Sequence, residues 1–148
     1  MTTTTEPKPS STDTKRPGPP VSGWLVLLNY LVPGAGVFVA GRRARGLLQG
    51  AMVLVTFAIG LALRGGVTWP IWRPTVEGFN LINNLMFLVQ LCGGLPAWIS
   101  LAADRNGWSM LAGTPQDPYF ELGAFYLVVA GAINYFMTLN MHDRLVRR

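Results

Sequence analysis

Gly46-Leu47-Leu48-Gln49-Gly50-Ala51-Met52-Val53-Leu54-Val55-Thr56-Phe57-Ala58-Ile59-Gly60-Leu61-Ala62-Leu63 runs from Arg45 to Arg64 without one charged side chain. As an α-helix this stretch is about 27 Å long, close to the roughly 30 Å of a bilayer's hydrocarbon core. A helix on the surface of a water-soluble protein carries charges on its outward face; a helix apolar all round is surrounded by protein or by lipid. Three more stretches read the same way: residues 21–41, 81–103 and 122–141. All 12 basic and 7 acidic side chains fall outside the four stretches. Charged residues make up 13% of the chain, against about 25% in soluble domains. A buried soluble bundle would need polar outer faces on some of these helices. The expected fold is therefore all-α: a helical integral membrane protein with transmembrane helices over residues 21–40, 46–63, 81–103 and 120–141, paired in two hairpins within a single domain, residues 21–148.

Residues 1–20 stand apart. Six Thr, two Ser and five Pro fill most of the segment, which has nothing to bury and is expected to be disordered. Lys15 and Arg16 ahead of Trp24-Leu25-Val26-Leu27-Leu28 imitate a secretion signal. No small-x-small cleavage site follows, so an uncleaved first helix is expected. Trp69, Pro70, Trp72 and Pro74 mark the 64–80 connection as interfacial, with indoles at headgroup depth. Asp117-Pro118 reads as the start of the fourth helix, with Glu121 near its positive end.

The spans are interrupted in a patterned way. Pro33, Gly34 and Gly36 are expected to kink or partly break the first, and Gly93, Gly94 and Pro96 to bend the third. Paired Gly/Pro interruptions resemble the broken helices of transporters, although the spacings and loop lengths of the two halves do not match and no internal repeat is evident. Gly46 and Gly50, with Gly123 and Gly131 in the fourth span, are candidates for close helix approach. Asn29, Gln49, Asn83, Asn84, Gln90 and Asn134 are the amides of the spans, suited to interhelical hydrogen bonds.

Residues 28–50 contain Pro33-Gly34-Ala35-Gly36, the aromatic Phe38, Gly41-Arg42 and Gly46-Leu47-Leu48. This resembles the hairpin of the two-transmembrane-domain family. Together with Glu121-Leu122-Gly123, Ala130-Gly131-Ala132-Ile133-Asn134 and Asp143-Arg144, it is similar to an uncharacterised group of small bacterial multi-pass membrane proteins. The hairpin departs from the two-transmembrane-domain pattern, with Val37, Val39 and Ala40 before Gly41-Arg42 and no acidic residue in the loop. The resemblance implies a location in the bacterial inner membrane and implies no activity.

The residues point away from catalysis. One His and one Cys cannot supply the usual ligands of a zinc site, and His142 has no nucleophile to serve at the chain's end. No cofactor is expected. None of the four charge-free stretches holds an acidic or basic side chain of the kind that forms proton relays. The net charge of +5 comes from clusters beside the spans and fits anionic lipid headgroups rather than nucleic acid. With four spans, Lys8, Lys15, Arg16, Arg64, Arg73, Arg144, Arg147 and Arg148 lie on the side of the termini, and Arg42, Arg43, Arg45 and Arg105 opposite. The larger group places the termini in the cytoplasm, against the retention signal of three arginines in one short loop. The expected function is a non-enzymatic membrane protein acting by helix packing, as a homo-oligomer or as a subunit of a membrane assembly. The alternative is a small transporter, channel or lipid-handling protein built on the broken spans.

Arg42, Arg43 and Arg45 are candidate headgroup contacts, and their role is open to a direct test. An anchor needs only positive charge, whereas a phosphate site uses the planar fork of arginine. Replacing all three with lysine is expected to leave insertion, folding and the co-purifying lipids unchanged, read by mass spectrometry of the purified protein. Selective loss of one anionic lipid would assign them a binding geometry instead.

Overall fold

A computed structural model describes residues 23–70, 81–108 and 113–146, with side chains through Asp143. The polar tail of residues 1–20, Trp72, Arg73, Pro74, Arg147 and Arg148 lie outside the described residues. Six helices are described: α1 (Gly23–Leu31), α2 (Ala35–Val39), α3 (Arg43–Ala62), α4 (Leu81–Leu91), α5 (Leu95–Arg105) and α6 (Phe120–Val146).

Two of them, α3 with 20 residues and α6 with 27, are long and apolar enough to cross a bilayer. They run antiparallel. Near the end of α3, a β-carbon at Gly60 would lie 2.9 Å from the Gly123 carbonyl oxygen, close to the start of α6. The buried face of α3 is Gly46, Gly50, Val53, Phe57 and Gly60, a three-and-four spacing that lines up one side of the helix. Val53 and Phe57 form the core with Ala97, Leu127 and Ala130.

The other two expected spans are each broken into two short helices. Pro33 has no N–H to continue α1, and Gly34 takes φ +80°, open to glycine at no steric cost. The chain then turns back. A β-carbon at Gly36 would meet the Leu25 carbonyl and would lie 2.7 Å from Cβ of Asn29. A continuous helix would instead carry residue 36 about 16 Å beyond residue 25. The turn seats on α3, where a β-carbon at Gly50 would lie 2.7 Å from the Pro33 carbonyl oxygen.

In the second half, α4 and α5 meet at an angle of 118°. Gly94 at φ +75° makes the reversal, and Pro96 sits in the first turn of α5, where a missing N–H costs nothing. The open ends of this pair converge on Trp69. Asn83 of α4 donates to the Trp69 carbonyl at 2.7 Å, and Phe87 stacks on its ring with centroids 6.4 Å apart. From α5, Asp104 accepts the indole N–H and the Arg105 guanidinium lies 5.6 Å from the ring centroid. The pair enters and leaves at one end of the molecule, so it is a hairpin rather than a single broken span.

The all-helical membrane class stands, and two unbroken helices are long and apolar enough to cross where the sequence leads to an expectation of four. The reason is physical: a Gly/Pro break frees the backbone, and neighbouring contacts decide whether the chain continues or reverses. Each half of the chain is now a hairpin followed by a crossing helix, and the two halves run in opposite directions. The position of the arginines changes accordingly. Gly36 lies near Met141 of α6 and Gly46 against Phe38, so exposed Arg42, Arg43 and Arg45 share an end with the close of α6. Arg64, Trp69 and Arg105 mark the opposite end.

The distribution of polarity suits lipid. Leu47, Leu48, Met52, Leu54, Val55 and Ile59 of α3 point outward, as do Leu122, Phe125, Phe136 and Leu139 of α6. Asn29, Gln90 and Asn134 are completely buried. Exposed apolar surface with amides inside inverts the pattern of a water-soluble protein.

Cysteines at positions 44 and 106, introduced in a Cys92→Ser background, separate the two topologies. Four spans would put both on one side of the membrane. The hairpin arrangement puts them on opposite sides. An impermeant thiol reagent applied to intact cells is expected to label one of the two and not the other.

Candidate functional site

The tips of the two hairpins meet. The last carbonyls of any helix have no partner within it, and α1 and α4 end here side by side. Asn134 of α6 supplies what they lack: its Nδ2 donates to the Tyr30 carbonyl at 2.9 Å and to the Cys92 carbonyl at 2.8 Å. The Tyr30 hydroxyl reaches the Leu91 carbonyl at 3.5 Å. Gly94 permits the approach, since a β-carbon there would lie 2.5 Å from the Tyr30 oxygen and 2.6 Å from that of Leu31. On α6, Gly131 stands three residues before Asn134 and therefore on the same face. A β-carbon at 131 would strike the Val89 carbonyl of α4.

Asn29 adds a second amide to the junction. Its Nδ2 donates to Thr138 Oγ1 at 3.3 Å, and Thr138 is one turn beyond Asn134. The α1–α6 contact therefore carries a ladder of Asn29, Thr138, Asn134 and the Tyr30 carbonyl. Asn29 Oδ1 and Asn134 Oδ1 are both buried without a hydrogen-bond partner. Gln90 forms the contrast. It too is fully buried, but its Oε1 accepts from Thr68 N at 2.9 Å and Thr68 Oγ1 at 3.0 Å, while its Nε2 donates to the Ala124 carbonyl at 3.2 Å. Gln90 fastens the chain after α3 to α4 and α6. The junction asparagines keep an acceptor in reserve.

Electrostatically the junction is close to neutral. The ends of α1 and α4 meet the starts of α2 and α5 there, so the opposite partial charges of helix termini offset one another, and the hairpins bring no charged side chain to their tips. Among the described residues no group of His, Cys, Asp or Glu could hold a metal ion.

The remaining candidates sort by position. Pro33 and Gly34 form the first turn, Gly36 the return along α1, and Gly46 and Gly50 its seat on α3. Gly93 closes against the Gln90 carbonyl oxygen at 3.0 Å, measured from a β-carbon built there. Gly94 and Pro96 form the second turn. At Gly123 a β-carbon would lie 2.7 Å from the Gly60 carbonyl oxygen and 2.5 Å from Gly65 N. Gly60, Gly65, Tyr30 and Thr138 complete these contacts and were not singled out in the sequence. Gly60 alone had a signal there, as the third glycine on the Gly46–Gly50 face. Arg42, Arg43 and Arg45 are remote from the junction. They sit at the N-terminal end of α3 with no acidic residue in its first turn, where the helix dipole disfavours positive charge; a counter-charge from outside the helix would relieve it.

These features define a class: a small helical membrane protein in which two broken-helix hairpins from opposite ends meet at a buried polar junction. The chain belongs to the family of unknown function DUF6677, which it matches over residues 24–146, a stretch containing both hairpins and both crossing helices. No curated protein and no solved structure matches it.

Two variants probe the junction. Asn134→Leu leaves the Tyr30 and Cys92 carbonyls without their donor, each at a cost of about 1–3 kcal/mol. Gly131→Leu drives a side chain into α4, a further overpacking cost of about 1–3 kcal/mol. Both are expected to lower the thermal unfolding midpoint of the purified protein in detergent by several degrees.

Proposed function

We propose that this protein is a non-enzymatic carrier or channel of the bacterial inner membrane, passing a small polar or ionic solute through the junction of its two hairpins. One observation carries the reading: two broken helices enter from opposite ends and present their C-terminal carbonyls to each other at Asn134. Unwound backbone at membrane depth is tolerated where it is buried in protein or lines a polar path. In transporters built from inverted halves, solute sites lie near the midplane where such half-helices meet. The hairpin at residues 28–50, similar to that of the two-transmembrane-domain family, is here one of the two halves.

A protein acting only by helix packing, as a homo-oligomer or accessory subunit, is the second reading. It explains the glycines. Those glycines are however occupied within one chain, Gly46 and Gly50 by the first turn and Gly123 and Gly131 by Gly65 and α4, so association would need another surface. It also leaves the unpaired amide oxygens of Asn29 and Asn134 without a purpose.

The arginine end is proposed to face the cytoplasm. It holds Arg42, Arg43 and Arg45, and α6 brings Arg144 there after Asp143, against Arg64 and Arg105 at the far end. Basic residues beside the spans favour the inside.

Reconstitution tests the function. Liposomes containing the protein are expected to admit at least one member of a panel of monovalent ions, urea, glycerol and small amino acids several-fold faster than empty liposomes, read by stopped-flow light scattering or tracer uptake. Asn134→Leu is expected to lose that increment. Equal rates for protein-containing and empty liposomes across the panel would remove the reading.

A further inference from the structure

We propose that the extended segment from Gly65 to Trp69 is a gate, closing the junction toward the end of the molecule marked by Arg64 and Arg105. The inference deepens the proposed function by naming what controls access to the junction, and it rests on that reading.

Residues 65–70 form no helix, yet Gly65, Gly66 and Val67 are buried. The segment touches three helices within five residues. A β-carbon at Gly65 would lie 2.5 Å from Ala124 N of α6. Thr68 is tied to α4, its N–H and its hydroxyl both donating to Gln90 Oε1 at 2.9 and 3.0 Å. Trp69 spans α4 and α5: its carbonyl accepts from Asn83 at 2.7 Å, its ring stacks on Phe87, and its indole N–H donates to Asp104. From the chain before α6, Gly113 closes on the segment, where a β-carbon would lie 2.6 Å from Gly66 N. The space among α4, α5 and α6 on this side of the junction is therefore occupied by the segment. Gln90, which holds Thr68, is two residues from Cys92, whose carbonyl Asn134 holds.

The manner of attachment distinguishes a gate from a fixed plug. Non-helical backbone buried in a membrane protein must find partners, and here side chains supply them, Gln90 for the Thr68 N–H and Asn83 for the Trp69 carbonyl. Among the described residues the segment makes one backbone–backbone bond, from Gly65 N to the Gly60 carbonyl at 3.0 Å. Water can replace the side-chain partners as the segment leaves, whereas a helix would have to unwind. Segments with so few backbone bonds of their own open more readily than helices. Gly65 and Gly66 supply the hinge, since glycine passes between backbone regions at no steric cost. The Trp69–Asp104 bond is exposed at the outer edge, where release can begin.

Cys92, the chain's only cysteine, lies beside Tyr30 at the junction and reports access to it. The full-length protein in liposomes is treated from outside with a charged, impermeant thiol reagent, and modification of Cys92 is followed by mass spectrometry. Slow modification is expected in the parent. Trp69→Ala and Asp104→Ala, which each remove the outer bond, are expected to speed it at least tenfold. Asp104→Asn keeps an acceptor oxygen and is expected to match the parent. Hydrogen exchange in the unaltered protein gives a reading that needs no variant: the Thr68 amide is expected to exchange at least tenfold faster than the amides of Phe57 and Leu127. Protection of Thr68 equal to theirs would overturn the gate, as would parent-like modification of Cys92 in folded Trp69→Ala and Asp104→Ala. Faster modification with no solute flux in parent or variants would keep the gate and remove the transport reading. Solute flux in the parent, with flux and Cys92 modification both unchanged in the variants, would do the reverse.

Discussion

Asn134 holds the structure together at the place where a membrane protein is least able to tolerate a gap. A helix in lipid satisfies its own backbone; a helix that stops in lipid does not, and no water is present to make up the difference. Two helices stop here, and one amide donates to both, at 2.9 Å and 2.8 Å. Because Asn134 belongs to α6, which packs along α3, the hairpin tips are fixed to the crossing pair. The surrounding glycines serve the same bond. Gly131 brings α4 close enough for the Cys92 carbonyl to be reached, and Gly94 lets the second tip lie against the carbonyls of the first. An amide is the suitable group for this task. It offers two donors without the desolvation cost of burying an ammonium or guanidinium, and its planar NH2 can divide them between two acceptors.

The same geometry explains why the buried amides differ in kind. Gln90 is saturated on both sides, joining the Thr68 segment to α6, and needs nothing more. Asn134 donates both amide hydrogens and Asn29 one, and neither amide oxygen has a partner. That asymmetry follows from location. Asn134 settles between the ends of two helices, which present acceptors, and is recruited for its hydrogens, while Asn29 gives one of its own to the Thr138 hydroxyl.

Much of the fold is legible in the sequence because it depends on local composition. The absence of charge from residues 46–63 and 122–141 locates α3 and α6, and Pro33-Gly34 and Gly93-Gly94 locate both breaks. The direction taken after each break is not local. A proline and a glycine at 33 and 34 permit a kink or a reversal equally, and what selects the reversal is the fit of Gly36 against Leu25 and of the turn against Gly46 and Gly50. The same limit hid the site. Asn29, Gln90 and Asn134 read alike as buried amides, and only their partners distinguish two that retain a free oxygen from one that does not.

The hairpin arrangement also removes a contradiction in the charge distribution. With four crossing helices, the Arg42–Arg45 loop would lie across the membrane from Arg144, and two groups of arginines would compete for the same compartment. Turning the second hairpin back requires no change of residues, yet it lets α6 finish at the end that holds Arg42, Arg43 and Arg45, and turning the first brings the start of α1 to that end as well. The opposite end then keeps Arg64 and Arg105 among the described side chains, and Arg105 is engaged there with the Trp69 ring. The positive charges thus support the second reversal, whose geometric basis is separate, in the convergence of Asn83, Phe87, Asp104 and Arg105 on Trp69. Charge placement constrains how often the chain crosses, packing constrains where it turns, and in this protein the two agree when the third apolar stretch is a hairpin.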